Sequence, residues 1–344
     1  MSDINIIPNS TIYFKSALLL PSIVDFSNKK VVIVTSNSVK DYALSILDKF
    51  LSNNITAYAY YLPDGENNKN LENALNLTNF LSEKGISRND ILINVGGGTV
   101  CDLGAFVASV YMRGIKYVNV PTTLLCACDA AIGGKTAIDL NGYKNFWGTF
   151  YQPFAVIIDC DFISTLSDQL ITYGLSEIVK YAILDAEFCS KLDKINNLNE
   201  IKQNLQQILY HSLSIKAEIV LEDERDYNKR KILNLGHTIA HAVESSSNYE
   251  INHAEAVAFG LLIESKLAYE LSIISNNRLN SIINLINKFL STNITVQIND
   301  LIPFMLKDKK NLQGKIAFSL PTESSAETVY LTTNQTTKLL EKIL

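Results

Sequence analysis

Histidine is scarce in this chain: its 344 residues include four, His211, His237, His241 and His253. Cysteine is almost as rare, with five residues, none of them in a CxxC pair. An odd, unpatterned set in a chain of this length points to reduced thiols and excludes a disulfide framework. Basic residues are not in excess: Lys and Arg total 30 against 35 Asp and Glu, a net charge of -5. That balance argues against a nucleic-acid binder, which needs clustered cations to neutralise phosphates. Long apolar runs are absent too, so nothing here reads as a membrane span. Met1 to Pro8 has no basic segment followed by an apolar one and is not a signal peptide. Internal repeats, low-complexity tracts and charge runs are also missing. What remains is an ordinary soluble composition, 47% hydrophobic and 19% charged, with enough length for two domains. The cytoplasm is the expected compartment.

The first half alternates strand and helix signals. Val31 to Thr35 reads as a buried strand, and Val39 to Leu51 as a helix with apolar spacing at Tyr42, Ile46, Leu47 and Phe50. Ile55 to Leu62 reads as a strand, Leu71 to Leu81 as a helix and Ile91 to Val95 as a third strand. A helix over Cys101 to Met112 and a strand over Tyr117 to Val120 follow. This alternation predicts an α/β fold with a doubly wound, parallel, Rossmann-like sheet over residues 1–165. Residues 166–344 are expected to form a mainly α-helical domain. Its predicted helices are Tyr173 to Phe188, Ile201 to Leu221, Ile232 to Ser245, His253 to Leu271 and Leu279 to Leu290, with one late hairpin over Lys315 to Leu320 and Thr328 to Leu331.

Three segments carry candidate chemistry. Gly96, Gly97 and Gly98 close a strand and open a helix, a place where backbone amides can approach a pyrophosphate. A tight turn with no ligand fits them equally, and they are not a GxGxxG fingerprint. Asp102 sits in the first helical turn, where it can simply meet the helix dipole. Upstream, Glu66 and Lys69 read as part of a solvated loop.

His237 and His241, at i and i+4, share a helix face about 6 Å apart along the axis. The residues between them are Thr, Ile and Ala, so no zincin general base is present. His253 opens the next predicted helix. One histidine of the pair could join it in chelating a metal while the other does acid–base work; two core or capping histidines are the plainer alternative. Glu177, three residues before Lys180 in an apolar helix, adds a carboxylate that a solvated face would not need. Three such ligands with an open position would polarise a bound carbonyl or hydroxyl. Spacing alone leaves both readings open. Finally, Pro121 to Asn145 reads as a long irregular loop punctuated by Asp129, Lys135, Lys144 and Asn145, while Lys216, Arg230 and Asn234 precede the histidine helix. Cations and amides of this kind suit a phosphorylated, carboxylated, polyhydroxylated ligand.

Taken together, the ordered segments resemble the 3-dehydroquinate synthase family from about Pro63 to Leu320. The carriers are PDGENNK from Pro63, GGGTVCD from Gly96, YMRG from Tyr111, PTTLL from Pro121, DAAIGGKT from Asp129 and Lys144-Asn145. They continue with GLSEIVKY from Gly174, Asp223 to Arg225, NLGHTIAHAVE from Asn234, HAEAV from His253 and Asp308 to Asn311. The resemblance implies a divalent metal, usually zinc with cobalt as the other candidate, on Glu177, His237 and His253. It implies NAD across Gly96 to Asp102 with Glu66, Lys69, Thr122 and Thr123 nearby, and with Asp129, Lys135 and Lys144 bordering it. Asp129, Lys135, Lys144, Asn145, Lys180, Lys216, Arg230, Asn234 and His241 would line the substrate site. His241 would be the proton shuttle, and Lys309 or Lys310 would add a contact. Arg113 would reach in from a partner subunit, which implies a homodimer.

The activity implied is that of a carbon–oxygen lyase of the shikimate pathway to aromatic amino acids. It converts 3-deoxy-D-arabino-heptulosonate 7-phosphate to 3-dehydroquinate and phosphate by transient oxidation, elimination, reduction and aldol closure. Several small residues depart from the family pattern: Cys101, Ala137, Ala240 and Ala254 stand for glycines, Ala130 for serine, Tyr143 replaces a common glycine, and Gly104-Ala105 reverses the usual order. The alternatives are a sister cyclase making a valiolone- or inosose-type ring, a metal-dependent dehydrogenase of the glycerol dehydrogenase type, and a nucleotide-binding module without catalysis.

Overall fold

Runs of β-branched residues set the first half of the molecule. The computed structural model describes residues 3–7, 10–141, 143–248, 250–307 and 311–344, and the chain divides into two compact units, Met1–Leu170 and Ile171–Leu344. In the first unit, β1 (Ile4–Ile7), β2 (Ser10–Tyr13), β3 (Val31–Ser36), β4 (Ala57–Leu62), β5 (Ile91–Gly96), β6 (Lys116–Pro121) and β9 (Ala155–Ile157) form one sheet. Its order is β1-β2-β9-β6-β5-β3-β4. Every neighbouring pair is parallel except β1 and β2. This is the doubly wound sheet that the alternation predicts, with the N-terminal segment adding two strands at one edge.

Central strands are buried on both faces, as parallel sheets require. Val32 and Val34 of β3 pack with Leu77, Leu81, Leu103 and Val107 on one side. Val31 and Ile33 pack with Ile46 and Phe50 on the other. The helices responsible are α1 (Lys40–Ser52) on the second face, and α2 (Leu71–Glu83) and α3 (Gly98–Val110) on the first. The chain runs outward from β3 to β4 and then returns to β5 on the opposite side, so the winding reverses between β3 and β5. Ligands of open α/β sheets bind outside the carboxyl ends of strands at such a point, and the carboxyl end of β5 is Gly96.

Pro121 to Asn145 is not the irregular loop expected. It contains a π-helical turn, Cys126–Ala130, and a hairpin of β7 (Lys135–Leu140) and β8 (Tyr143–Phe150). Asn141-Gly142 was the signal for it, since that dipeptide favours the tight turns that join paired strands, and Asn141 takes φ +53. Tyr143, Phe146, Trp147 and Phe150 are all exposed on β8.

The second unit is mainly helical: α4 (Asp168–Leu184), α5 (Leu205–Glu222), α6 (His237–Ser246), α7 (His253–Glu270), α8 (Asn276–Phe289) and α9 (Thr333–Ile343), with a hairpin of β10 (Lys315–Pro321) and β11 (Ala326–Thr332). Three predicted helices are cut where polar or glycine chemistry intervenes. Asp185 caps a new helix by accepting from Phe188 N–H at 2.7 Å, which ends α4 early. The Asn204 side chain donates to Glu200 O at 2.8 Å, competing with the backbone ladder. Gly236 takes φ +82, so the helix expected from Ile232 becomes a 3-10 turn, Lys229–Asn234, followed by α6. Among the described residues no helix is long and apolar enough to cross a membrane.

One departure in the sequence has a steric reason. A Cβ on Gly104 would sit 1.9 Å from Asn94 Oδ1, and Asn94 Nδ2 donates to Asn119 Oδ1 at 2.9 Å between β5 and β6. Glycine is therefore required at 104, and the neighbouring alanine falls at 105. Gly104→Ala is expected to cost about 1–3 kcal/mol by overpacking, measured by urea unfolding, and Asn94→Ala combined with it should recover part of that loss.

Candidate active site

In the first unit, the glycine turn leads β5 into α3. Its three glycines are not equivalent. A Cβ on Gly96 would lie 2.6 Å from the Val100 side chain, whereas one on Gly97 or Gly98 would meet nothing closer than 3.5 Å. The protein itself demands glycine only at 96, and leaves room above the amides of 97 and 98. No side chain caps α3 at Gly97. Behind the turn, Thr122 N–H donates to Gly96 O at 2.9 Å, while the Thr122 hydroxyl is buried without a partner. Thr123 Oγ1 accepts from Cys126 N–H at 3.2 Å. An uncapped helix start, open amides and an orphaned hydroxyl at the winding reversal fit a dinucleotide phosphate.

The segment expected to be a solvated loop is built into this site. Lys69 is 3% exposed and its ammonium lies 2.6 Å from Asp102 Oδ2 and 3.7 Å from Glu66 Oε1, and also donates to Asn145 Oδ1. Thr99 Oγ1 donates to Glu66 Oε2 at 2.5 Å. Burial works against the Lys69 charge, but Asp102 and Glu66 outweigh it and hold the ammonium above its usual range. Burial raises Asp102, and Lys69 offsets this only in part. Asp139 N–H donates to Lys69 O at 2.7 Å, and Asn145 N–H to Asp139 Oδ1 at 2.8 Å. These bonds tie the β7–β8 hairpin to the same corner. Asp129 lies in the π-helical turn, and Lys135 and Lys144 are exposed on the hairpin. Arg113 is exposed in a left-handed turn at φ +68, where Arg88 grips Met112 O at 2.9 Å. Lys309 and Lys310 lie outside the described residues.

In the second unit, Glu177 on α4, His237 at the start of α6 and His253 at the start of α7 converge, with one ligand atom from each within 4.8 Å of the others. Both imidazoles aim Nε2 at the same oxygen: Glu177 Oε1 is 3.3 Å from His237 and 3.6 Å from His253. Each is held from behind. His237 Nδ1 lies 3.0 Å from Leu235 O, and His253 Nδ1 lies 3.3 Å from Glu244 Oε2. A carbonyl behind one ring and a carboxylate behind the other fix the tautomers that present Nε2 to an ion. Lys180 pairs with Glu177 Oε2 from one turn further along α4. The donor set, one carboxylate and two oriented imidazoles, fits a divalent cation of the zinc type with a position open to ligand.

The same contacts set the electrostatics of the cluster. Burial raises the Glu177 carboxyl, but Lys180 and His237 overcome it and hold it well below the usual carboxylate range. Burial keeps His237 below the usual imidazole range. Burial also opposes charge on His253, yet Glu177 and Glu244 on either side push it up to about 10.

His241 is exposed, and its ring centroid lies 5.5 Å from that of His237, nearly perpendicular to it. It borders the cluster without being one of its three members. Lys180, Lys216 and Arg230 are each less than 5% exposed, which takes these three cations out of water. Asn234 Nδ2 donates to Lys231 O at 2.9 Å. Glu244 and Asp223 fall within segments that carry the resemblance, but no role was expected of either. Asp223 accepts from the backbone N–H groups of Tyr227, Asn228 and Arg230 at 3.0, 2.7 and 3.1 Å. It shapes the turn that delivers Arg230. Neither acid has motif chemistry of its own, so only the backbone and ring it meets could reveal it.

The profile of the 3-dehydroquinate synthase N-terminal domain matches residues 59–173, and that of the C-terminal domain residues 174–311. The 3-dehydroquinate synthase of Pyrococcus abyssi is 39% identical over 314 residues, 91% of this chain and 92% of its own. The chain belongs to the 3-dehydroquinate synthase family. Among solved structures, a 2-deoxy-scyllo-inosose synthase complexed with carbaglucose-6-phosphate, NAD+ and Co2+ matches with a TM-score of 0.86 at 22% identity over 97% of both chains. A 2-epi-5-epi-valiolone synthase from Streptomyces hygroscopicus with NAD+ and Zn2+ bound matches with a TM-score of 0.86 at 21% identity, covering 100% of this chain and 98% of that one. At these identities the likeness is one of fold. The 3-dehydroquinate synthase profiles meet at 173/174, close to the division between the two compact units.

Metal ligands must be deprotonated to bind. With His253 held above the usual imidazole range, adding zinc to metal-free protein in weakly buffered solution at neutral pH should release about one proton per site. A pH-stat measures it, and affinity should rise with pH until His253 is neutral.

Proposed function

We propose that this protein is a 3-dehydroquinate synthase, converting 3-deoxy-D-arabino-heptulosonate 7-phosphate to 3-dehydroquinate and phosphate as a carbon–oxygen lyase. The observation that carries the reading is the Glu177–His237–His253 cluster, oriented from behind by Leu235 O and Glu244, in a chain whose sequence relatives bear that name.

Glu177, His237 and His253 hold the divalent metal, zinc in the first instance and cobalt in the second. When bound, NAD would be held by Gly96, Gly97, Gly98, Asp102, Thr122 and Thr123, with Glu66 and Lys69 nearby and Asp129, Lys135 and Lys144 at its border. When bound, NAD supplies a transient hydride acceptor and the metal a Lewis acid at the hydroxyl to be oxidised.

The chain's own side chains do the rest. Lys180, Lys216 and Arg230 are cations already removed from water, so they bind carboxylate and phosphate more strongly than surface lysines would. Asn234 offers its amide to a hydroxyl. His241, beside the cluster and open to ligand, moves the proton. Within the first unit, the family resemblance gives Asp129, Lys135, Lys144 and Asn145 ligand contacts of their own. Arg113, presented on its exposed turn, serves the site of a partner subunit in a homodimer, and the cytoplasm supplies substrate and NAD.

The test is phosphate release from 3-deoxy-D-arabino-heptulosonate 7-phosphate with NAD and zinc, before and after chelation. Chelator-sensitive release with 3-dehydroquinate formed and no NADH accumulating is expected. Turnover only of a seven-carbon sugar phosphate lacking the carboxylate would move the protein to a sister cyclase, and net NADH from a simple polyol would make it a dehydrogenase. Two variants separate the histidine roles. His237→Ala should lose the metal and all activity, measured by metal analysis and turnover. His241→Ala should keep the metal and lose about 10²–10⁴-fold in rate; metal loss there would mean the roles are exchanged.

A further inference from the structure

Helix α6 begins at Gly236, which has no side chain with which to cap it. The missing cap comes from another helix. Glu264, on α7 and fully buried, accepts from Gly236 N–H at 2.6 Å through Oε2, and from Thr238 and Ile239 N–H at 3.1 and 3.2 Å through Oε1. Its carboxylate thus engages three of the first amides of the helix that carries His237 and His241, where charge-assisted bonds and the helix dipole act together. One turn earlier on the same face of α7 stands Gly260. A Cβ there would lie 1.9 Å from Gly236 O, so the two backbones touch at this point and only glycine permits it.

Helix α7 therefore does two things. Its first residue, His253, supplies one imidazole of the cluster, and its Gly260–Glu264 face grips the start of the helix that supplies the other. We infer that Glu264, seated by the Gly260–Gly236 contact, is a positioning residue for the metal site: it fixes His237 relative to His253 without touching the ion. This rests on the reading that Glu177, His237 and His253 hold a metal.

The test uses the full-length protein and cobalt(II) alone, read by its visible absorption, whose bands follow ligand geometry, and by competition for the dissociation constant. In Glu264→Gln an amide meets three N–H donors with one acceptor oxygen, so at least one donor faces another. Gly260→Ala keeps the carboxylate but forces the helices apart. Both variants should bind cobalt roughly 10–100-fold more weakly, the usual effect of disturbing what orients a ligand, with shifted absorption bands. Leu285→Ala, a cavity in the same unit on α8, should lower the melting temperature while keeping wild-type affinity and spectrum. Should Glu264→Gln fail to fold, Glu264→Asp takes its place, with a smaller change in the same direction. The inference is overturned if either folded variant binds cobalt with wild-type affinity and bands, for then Glu264 only stabilises the core. Wild-type protein that binds no cobalt would overturn this inference together with the metal reading beneath it.

Discussion

A carboxylate taken fully out of water must be met by charge or hydrogen bonds, or the fold loses several kcal/mol to the uncompensated ion. Glu177 is such a group, 1% exposed on α4. Lys180 takes one of its oxygens from the same helix, and two imidazoles from α6 and α7 face the other. The three helices are consequently not free to choose their positions independently. His253 answers in turn to Glu244, and His237 to a backbone carbonyl. Removing one member of such a set leaves a buried charge whose cost, roughly 3–5 kcal/mol for a broken buried pair, falls on the packing of the unit. The cluster and the helical core are thus one problem solved once.

The first unit meets a similar demand with different parts. Lys69 is a buried cation answered by Asp102, Glu66 and Asn145, and the network reaches from the loop after β4, through Asp102 in the second turn of α3 rather than the first turn expected, to the tip region of a hairpin. The glycine turn at the end of β5 therefore has a charged wall as well as open amides. The sheet puts both at the reversal of its winding, where strand ends splay and leave space.

Much of this could be read from the chain. β3, β5 and β6 announce themselves because strands buried on two faces must be apolar nearly throughout. The metal candidates stood out because histidine is rare and Glu177 has no reason to lie in an apolar helix. Other features were hidden for definite reasons. Lys69 looked solvated because its hydrogen-bond partners Asp102 and Asn145 are 33 and 76 residues away, beyond any local pattern. The helix start at His237 was misplaced because Gly236 takes the αL conformation, which leaves no periodic trace. The β7–β8 hairpin was lost among glycines and alanines that blur its alternation, despite the turn signal between the strands. Glu244, Asp223 and Glu264 act on backbone amides or a ring, so no spacing rule identifies them.

The hairpin also bears on how the chain survives its own synthesis. Among the described strands, β8 pairs with β7 alone, and its sequence, YKNFWGTF, carries a single charge, Lys144. Aromatic, β-prone and nearly uncharged segments with an open edge are templates for non-native strand pairing, and nature guards them with an isolated lysine. Beyond the ligand contact proposed for it, Lys144 is the one charge on β8 that opposes self-association of the nascent strand. A substitution there that kept catalysis by other means would still pay in soluble yield.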